Sequence, residues 1–149
     1  MMSKVYKLGI TPHNNKKIQE VNSIEVIAEK GIVGDRHFKD YNDPYCQLSL
    51  IESENIDYYN TKYGLNIAYV DFRRNIITKK IELNNLIGKK FFIGKVEVEG
   101  IDLCRPCRHL TDMLNQDNVL KEFMRRGGLR CRILTSSQIN INDKIRIFK

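Results

Sequence analysis

Lys90-Phe91-Phe92-Ile93-Gly94-Lys95-Val96-Glu97-Val98-Glu99-Gly100-Ile101 decides the fold class of this chain. Two runs of β-branched and aromatic residues are separated by one glycine, which reads as short strands joined by a tight turn. The same pattern recurs at residues 5–10, 23–29, 47–51, 75–78, 129–134 and 144–148. Helical spacing interrupts it twice. Over residues 52–63, Ile56, Tyr59 and Tyr63 share one face and Gly64 follows as a stop; over 118–126 the stripe is Val119, Leu120, Phe123 and Met124. Asp117 or Asn118 would cap that second helix, and Gly127-Gly128 would end it. Strands and helices do not alternate regularly, which argues against a doubly wound parallel sheet. The expectation is a mainly β, β-rich α+β chain: a closed or partly closed β-barrel with a few peripheral helices.

At 149 residues the chain is expected to form a single domain, 1–149. Its hydrophobic and charged fractions, 42% and 29%, are those of an ordinary globular protein. There is no apolar run of membrane-spanning length, and residues 1–7 lack the apolar stretch of a secretory signal, so a cytoplasmic location is expected. The net charge of +7 would suit a polyanionic partner. The basic residues are scattered, however, with no stripe interleaved with aromatics, so no nucleic acid is expected.

Three strings carry the chemistry. Gly31-Ile32-Val33-Gly34-Asp35-Arg36-His37 follows a strand; its glycines permit a tight turn with positive φ, and Arg36 presents a planar fork for phosphate or carboxylate. Asp35 would either pair with Arg36 or accept hydrogen bonds from a ligand's amino groups. In Phe72-Arg73-Arg74-Asn75-Ile76, strand alternation would put Arg73 and Asn75 on one face, a charged fork beside a donor–acceptor amide, with Arg74 on the other. A solvent-facing turn and strand edge are the plainer readings of both strings.

The third string is Cys104-Arg105-Pro106-Cys107-Arg108-His109. A structural zinc site would need four ligands, and His109 and Cys131 complete one only if folding brings them in. A thioredoxin-like dithiol lacks the later proline of that fold. A reactive loop thiol flanked by Arg105 and Arg108 is the third reading, since the cations favour thiolate, a good soft ligand for a transition metal. Cys46 and Cys131 lie in strand-like runs and read as buried. His13 lies in a polar turn and is assigned no role.

In order and together, these strings resemble the MOSC domain, the module at the C-terminus of molybdenum cofactor sulfurases and in small standalone bacterial proteins. The resemblance also takes in Gln47-Leu48-Ser49-Leu50-Ile51, Leu86-Ile87-Gly88, Gly127-Gly128-Leu129-Arg130-Cys131 and Asn142-Asp143-Lys144-Ile145. The chain departs from the pattern in carrying Arg74 where many standalone members have Glu, Lys80 where they have Gly, and Asn142-Asp143 where Gly-Asp is usual.

The resemblance implies a pyruvate-kinase-type β-barrel that binds molybdopterin, the molybdenum cofactor. Related members ligate molybdenum through one cysteine and catalyse two-electron reduction of N-hydroxylated compounds. Position by position, Cys107 matches the family cysteine and would be the metal ligand, with Cys104 a second catalytic candidate. Arg73 and Asn75 match the element near the pterin and its phosphate, while Arg36 and Gln47, with Asp35 and His37, match positions lining the same pocket. Partners would be a small-molecule substrate and an electron or sulfur donor protein. The alternative is a persulfide carrier in metal-sulfur or cofactor sulfuration, with Cys107 bearing the sulfur and Cys104 resolving it.

Overall fold

The computed structural model describes residues 2–12, 17–39, 43–106 and 108–147. Strand β1 (Lys4–Ile10) is followed by β2 (Gln19–Val21), β3 (Ser23–Ile27), β4 (Gly31–Ile32) and β5 (Leu48–Glu52). Helix α1 (Ser53–Tyr63) and a 3₁₀ turn (Tyr69–Phe72) lead to β6 (Ile76–Lys79); a second 3₁₀ turn (Leu83–Leu86) precedes β7 (Lys90–Ile93) and β8 (Val96–Leu103). Helices α2 (Arg108–Leu114) and α3 (Val119–Glu122) come next, then β9 (Leu129–Ile133), β10 (Ser137–Asn140) and β11 (Ile145–Ile147).

The main sheet has the order β11-β7-β8-β9-β5-β6-β1-β2, and a small sheet has the order β10-β3-β4. Every pair in the main sheet is antiparallel except β5 with β6, which α1 connects as a crossover. One edge of β1 pairs with β6. The other edge is divided: its second half pairs with β2, whereas its first half meets the segment leading into β11. That seam consists of Val5 N–H to Asp143 O (2.9 Å), Asn142 N–H to Val5 O (2.8 Å) and Ile145 N–H to Ser3 O (3.0 Å). The sheet therefore curls round and joins itself at this end, leaving few unpaired edges.

Alternation along the strands separates two cores. Leu48 and Leu50 of β5, Leu129, Cys131 and Ile133 of β9, and Phe91, Val96 and Val98 of the β7–β8 hairpin point inward and fill the barrel. The opposite faces of β5 and β6 supply Ile51 and Ile77 to a second cluster outside the barrel wall, with Ile56 and Tyr59 of α1, Phe72, Leu110, Val119 and Phe123. Phe72 and Phe123 meet with ring centroids 4.9 Å apart, and Tyr59 and Phe123 at 5.3 Å. Glu122 ties α3 to α1, accepting from Tyr63 Oη at 2.6 Å and from Lys62 Nζ at 2.7 Å.

The eight expected strands are present within a residue or two at their ends. Phe148, at the end of the last of them, lies outside the described residues. Helix α1 ends as the sequence indicates, with Gly64 left-handed at φ 63°. The second expected helix shrinks to α3, because Phe123 leaves helical geometry (φ −104°, ψ 13°) to enter the outer cluster. Asn118 precedes α3 but makes no side-chain capping bond. Helix α2 was not expected, nor were the short strands β2, β4 and β10, whose two to four residues give too little periodicity to register.

Gly127 and Gly128 do not terminate a helix; they allow backbones to meet. A Cβ on Gly127 would lie 2.2 Å from the Cys104 carbonyl oxygen, and one on Gly128 would lie 1.8 Å from that of Leu50. Lys80 and Asn142, where the resemblance expects glycine, adopt φ 64° and 74°, so the backbone keeps the glycine conformation without the glycine.

Two stability predictions follow from these geometries. Gly128→Ala, clashing at φ +105°, should lose about 3 kcal/mol by urea denaturation, whereas Gly88→Ala, at φ +76° with nothing within 4 Å, should lose about 1 kcal/mol. Lys80→Gly should raise stability by roughly 0.5–1 kcal/mol in the same assay, because relief of left-handed strain exceeds the added chain entropy.

Candidate functional site

Side chains on the outer face of the barrel wall line a cavity of about 240 Å³ beside the outer cluster. Its floor is a row across neighbouring strands. Arg130 of β9 lies opposite Ser49 of β5, and Ser49 is bonded to Asn75, just before β6. Leu129 and Cys131 point into the barrel, so alternation turns Arg130 outward, as it does Ser49 between Leu48 and Leu50.

Asn75 fastens this floor. Its Oδ1 accepts from Ser49 N–H at 3.2 Å and from Ser49 Oγ at 3.1 Å, and its Nδ2 donates to the Gly9 carbonyl at 3.2 Å. The residue lines the cavity, as its position in the motif suggested, but both ends of its amide are engaged with β5 and β1. It shapes the pocket by holding strands together.

One wall is the turn after β4. Gly31 and Gly34 take φ 126° and 85°, the positive values expected for this turn. Asp35, 8% exposed, accepts from Thr11 N–H at 2.8 Å and His37 N–H at 3.1 Å. Arg36 N–H donates to the Thr11 carbonyl at 2.7 Å. The carboxylate thus latches the turn onto the end of β1; both its oxygens serve the backbone, where the sequence suggested an Arg36 pair or a ligand contact. Arg36 and His37 are left facing the cavity. Burial lowers the His37 pKa, and the nearby Arg36 charge lowers it further against the opposing pull of Asp35.

Arg73 and Arg74 both reach the cavity. Strand alternation had separated them, but the strand begins only at Ile76, and Arg73 is left-handed (φ 64°, ψ 31°) at the end of the 3₁₀ turn. The period-two rule does not apply across such a residue. Burial lowers the Arg73 pKa, with Arg36 adding to the effect and Asp35 opposing it. Arg74 donates Nε–H to the Gly127 carbonyl at 2.9 Å.

The second wall is the segment leaving β8. Cys104, 1% exposed, donates its N–H to the Gly128 carbonyl at 2.8 Å. Burial pushes its thiol pKa up, against the opposing charges of Arg74 and Arg130. Arg105 pairs with Asp102 at 3.0 Å at the mouth, and His109 completes this side. Cys107, which the resemblance singles out, lies outside the described residues, as does His13.

Gln47 does not line the cavity. It is 3% exposed, and its Oε1 accepts from Ile133 N–H at 2.8 Å, so it braces β9 from within the wall. Residues the motifs did not single out for this site are Ser49, Arg130, Tyr45 and Cys46. Arg130 was legible in principle, from the alternation of Leu129, Cys131 and Ile133 around it. Tyr45 and Cys46 carry no local signal; they arrive because the Tyr45 carbonyl accepts from Arg130 Nη1 at 2.8 Å. Cys46, Cys104 and Cys131 are free thiols. Among the described residues no three His, Cys, Asp or Glu side chains gather to hold a metal ion, so Cys104, His109 and Cys131 form no zinc cluster.

The electrostatic character is one-sided. Among the described residues five arginines line the cavity (Arg36, Arg73, Arg74, Arg105 and Arg130) against one carboxylate, Asp35, which is already engaged. Among the described residues no carboxylate forms an ion pair with Arg36, Arg74 or Arg130. Such a site favours an anion with several oxygen acceptors.

No helix among the described residues is long and apolar enough to cross a membrane. The fold matches the YuaD protein of Bacillus subtilis with a TM-score of 0.81 at 17% identity, covering 100% of this chain and 98% of that one. YiiM of Geobacillus stearothermophilus gives 0.79 at 13% identity, with 99% and 75% covered. YiiM of Escherichia coli gives 0.70 at 16% identity, with 96% and 70% covered. At these identities the likeness is one of fold. A search of curated proteins gave no significant match. The family model for the MOSC domain matches residues 34–146, from the Gly34-Asp35-Arg36-His37 turn through β11. The ordered motifs, the curled β-rich sheet and this match together establish that the chain belongs to the MOSC domain family.

Proposed function

We propose that the cavity binds a phosphorylated pterin of the molybdenum cofactor type and that the chain supports two-electron oxygen-atom transfer, such as reduction of an N-hydroxylated compound. The observation that carries this reading is the cluster of arginines around the cavity: among the described residues Arg36, Arg74 and Arg130 form no ion pair with a carboxylate, and the one lining carboxylate, Asp35, is engaged by backbone amides. MOSC membership supplies the cofactor class; the charge of the site supplies the fit to its phosphate.

Arg36 and Arg73 would hold the phosphate, with their forks presented from two different segments. The floor of Ser49 and Asn75 would set the depth at which the ring system sits. Cys107 would be the thiolate ligand, on the segment that Cys104, Arg74 and Gly128 anchor at its other end. When bound, the cofactor supplies a metal centre able to take an oxygen atom from an N–O bond while two electrons are delivered. A cytoplasmic donor protein would provide the electrons. Burial of Cys104, 1% exposed, favours this reading over the sulfur carrier, which needs that thiol to meet a persulfide.

The test is molybdenum and zinc per chain, by elemental mass spectrometry, on protein purified without oxygen or chelators from a host that makes the cofactor. Near-stoichiometric molybdenum is expected, retained in Cys104→Ser, lost in Cys107→Ser, and reduced at least tenfold in Arg73→Ala. Zinc in its place would restore a structural cysteine site. Neither metal, together with a persulfide on Cys107 that Cys104→Ser cannot discharge, would establish the sulfur carrier.

A further inference from the structure

The cations of the cavity form two sets. Arg36 and Arg73 come from the turn after β4 and the segment before β6, and the charges of Arg36 and Asp35 both act on Arg73. Arg130 comes from β9, with β5 between it and β6. At about 4.8 Å per strand, the Arg130 and Asn75 backbones are roughly 10 Å apart, about twice the width of a phosphate or carboxylate. Arg130 is fixed on its own side of the cavity, its Nη1 held at 2.8 Å by the Tyr45 carbonyl and Asp102 opposite it on β8, although its charge and that of Arg36 both reach His37.

Arg132 shows that this exposure of charge is particular to Arg130. Two residues along the same strand and on the same face, Arg132 is gripped by Glu29 through both Nε and Nη2, with Glu99 at 3.8 Å. Arg130 sits opposite Asp102 in the β8–β9 ladder, but Arg105 already pairs that carboxylate; among the described residues Arg130 forms no ion pair and its Nη1 donates to the neutral Tyr45 carbonyl. A guanidinium fixed at one nitrogen and facing a cavity keeps its remaining donors for an oxyanion.

We propose that Arg130, with Arg105 beside it at the mouth, forms a second oxyanion subsite, and that this subsite takes a carboxylate or phosphate carried by the small-molecule substrate. The inference rests on the cofactor reading above, which assigns the Arg36–Arg73 subsite to the cofactor's phosphate. It narrows the substrate class to anionic compounds. A cationic substrate would meet Arg130 and Arg105 at the mouth, with no free carboxylate among the described lining residues to offset them.

The probe is inorganic phosphate, titrated calorimetrically in a low-salt buffer free of competing anions. The metal-free chain should bind two phosphates, Arg73→Ala and Arg130→Gln should each bind one, and Arg132→Gln should bind two. Arg130→Lys, which keeps a charge, should restore the second phosphate at reduced affinity and guards against misfolding of the Gln variant. Molybdenum-loaded protein should bind one phosphate, lost in Arg130→Gln. A single phosphate in the metal-free wild type would overturn the second subsite. None in the loaded protein would give both subsites to the cofactor and overturn the substrate assignment. A chain that never loads molybdenum would refute the cofactor reading, and the substrate assignment with it, while the count of two still decides the subsite.

Discussion

Asn75 gives its amide to two strands at once, Oδ1 to Ser49 on β5 and Nδ2 to the Gly9 carbonyl on β1. A partly buried amide left unsatisfied is costly, so this three-point arrangement fixes how β1, β6 and β5 line up where regular pairing has not yet begun. The rest of the site depends on it. With β5 held in that register, Leu48 and Leu50 fill the barrel, Ile51 reaches the outer cluster, and Ser49 is left facing the cavity opposite Arg130. The latch of Asp35 on Thr11 then adds the turn that brings Arg36 to the same face.

The strands were legible because each is a run of alternating apolar residues long enough to show its period, and Gly64 was legible because a helix stop needs a left-handed residue. The site was legible as a set of motifs but not as roles. Asn75 and Asp35 stand where the motifs placed them, yet their side chains serve the framework, since only the tertiary arrangement shows which backbone groups would otherwise lack a partner. Strand alternation puts Arg74 on the face opposite Arg73, but the left-handed turn at Arg73 breaks that period and both reach the cavity. In the sequence Gly127-Gly128 reads as local punctuation, whereas its reason is a contact with carbonyls of Cys104 and Leu50, distant in sequence. Tyr45 was beyond reach for the same reason: its place follows from Arg130, 85 residues away.

Concentrating guanidinium groups in one cavity destabilises the empty protein. Burial strips water from Arg73 and the nearby Arg36 charge repels it, and these together lower the Arg73 pKa. A ligand that brings negative charge removes this repulsion, so binding and stability are linked: whatever fills the pocket also holds the wall segments in place. Arg132, on the same strand, is neutralised by Glu29 and Glu99 and carries no such tension. Neighbouring arginines on one face thus divide between holding the barrel and facing a ligand.

The divided edge of β1 has a consequence for how the chain is made. Its first half waits for the Asn142 and Ile145 amides, while its second half is paired early by β2, a few residues downstream. On the ribosome, β1 and β2 can form a hairpin long before the seam exists, but the barrel stays open until the residues around position 145 emerge. Through that interval the inward face of β1, with Val5 and Leu8, has no complete core to enter. Contacts between opposite ends of a chain form slowly, and the exposed half-edge of β1 is the strand most at risk of pairing with another nascent chain before β11 arrives.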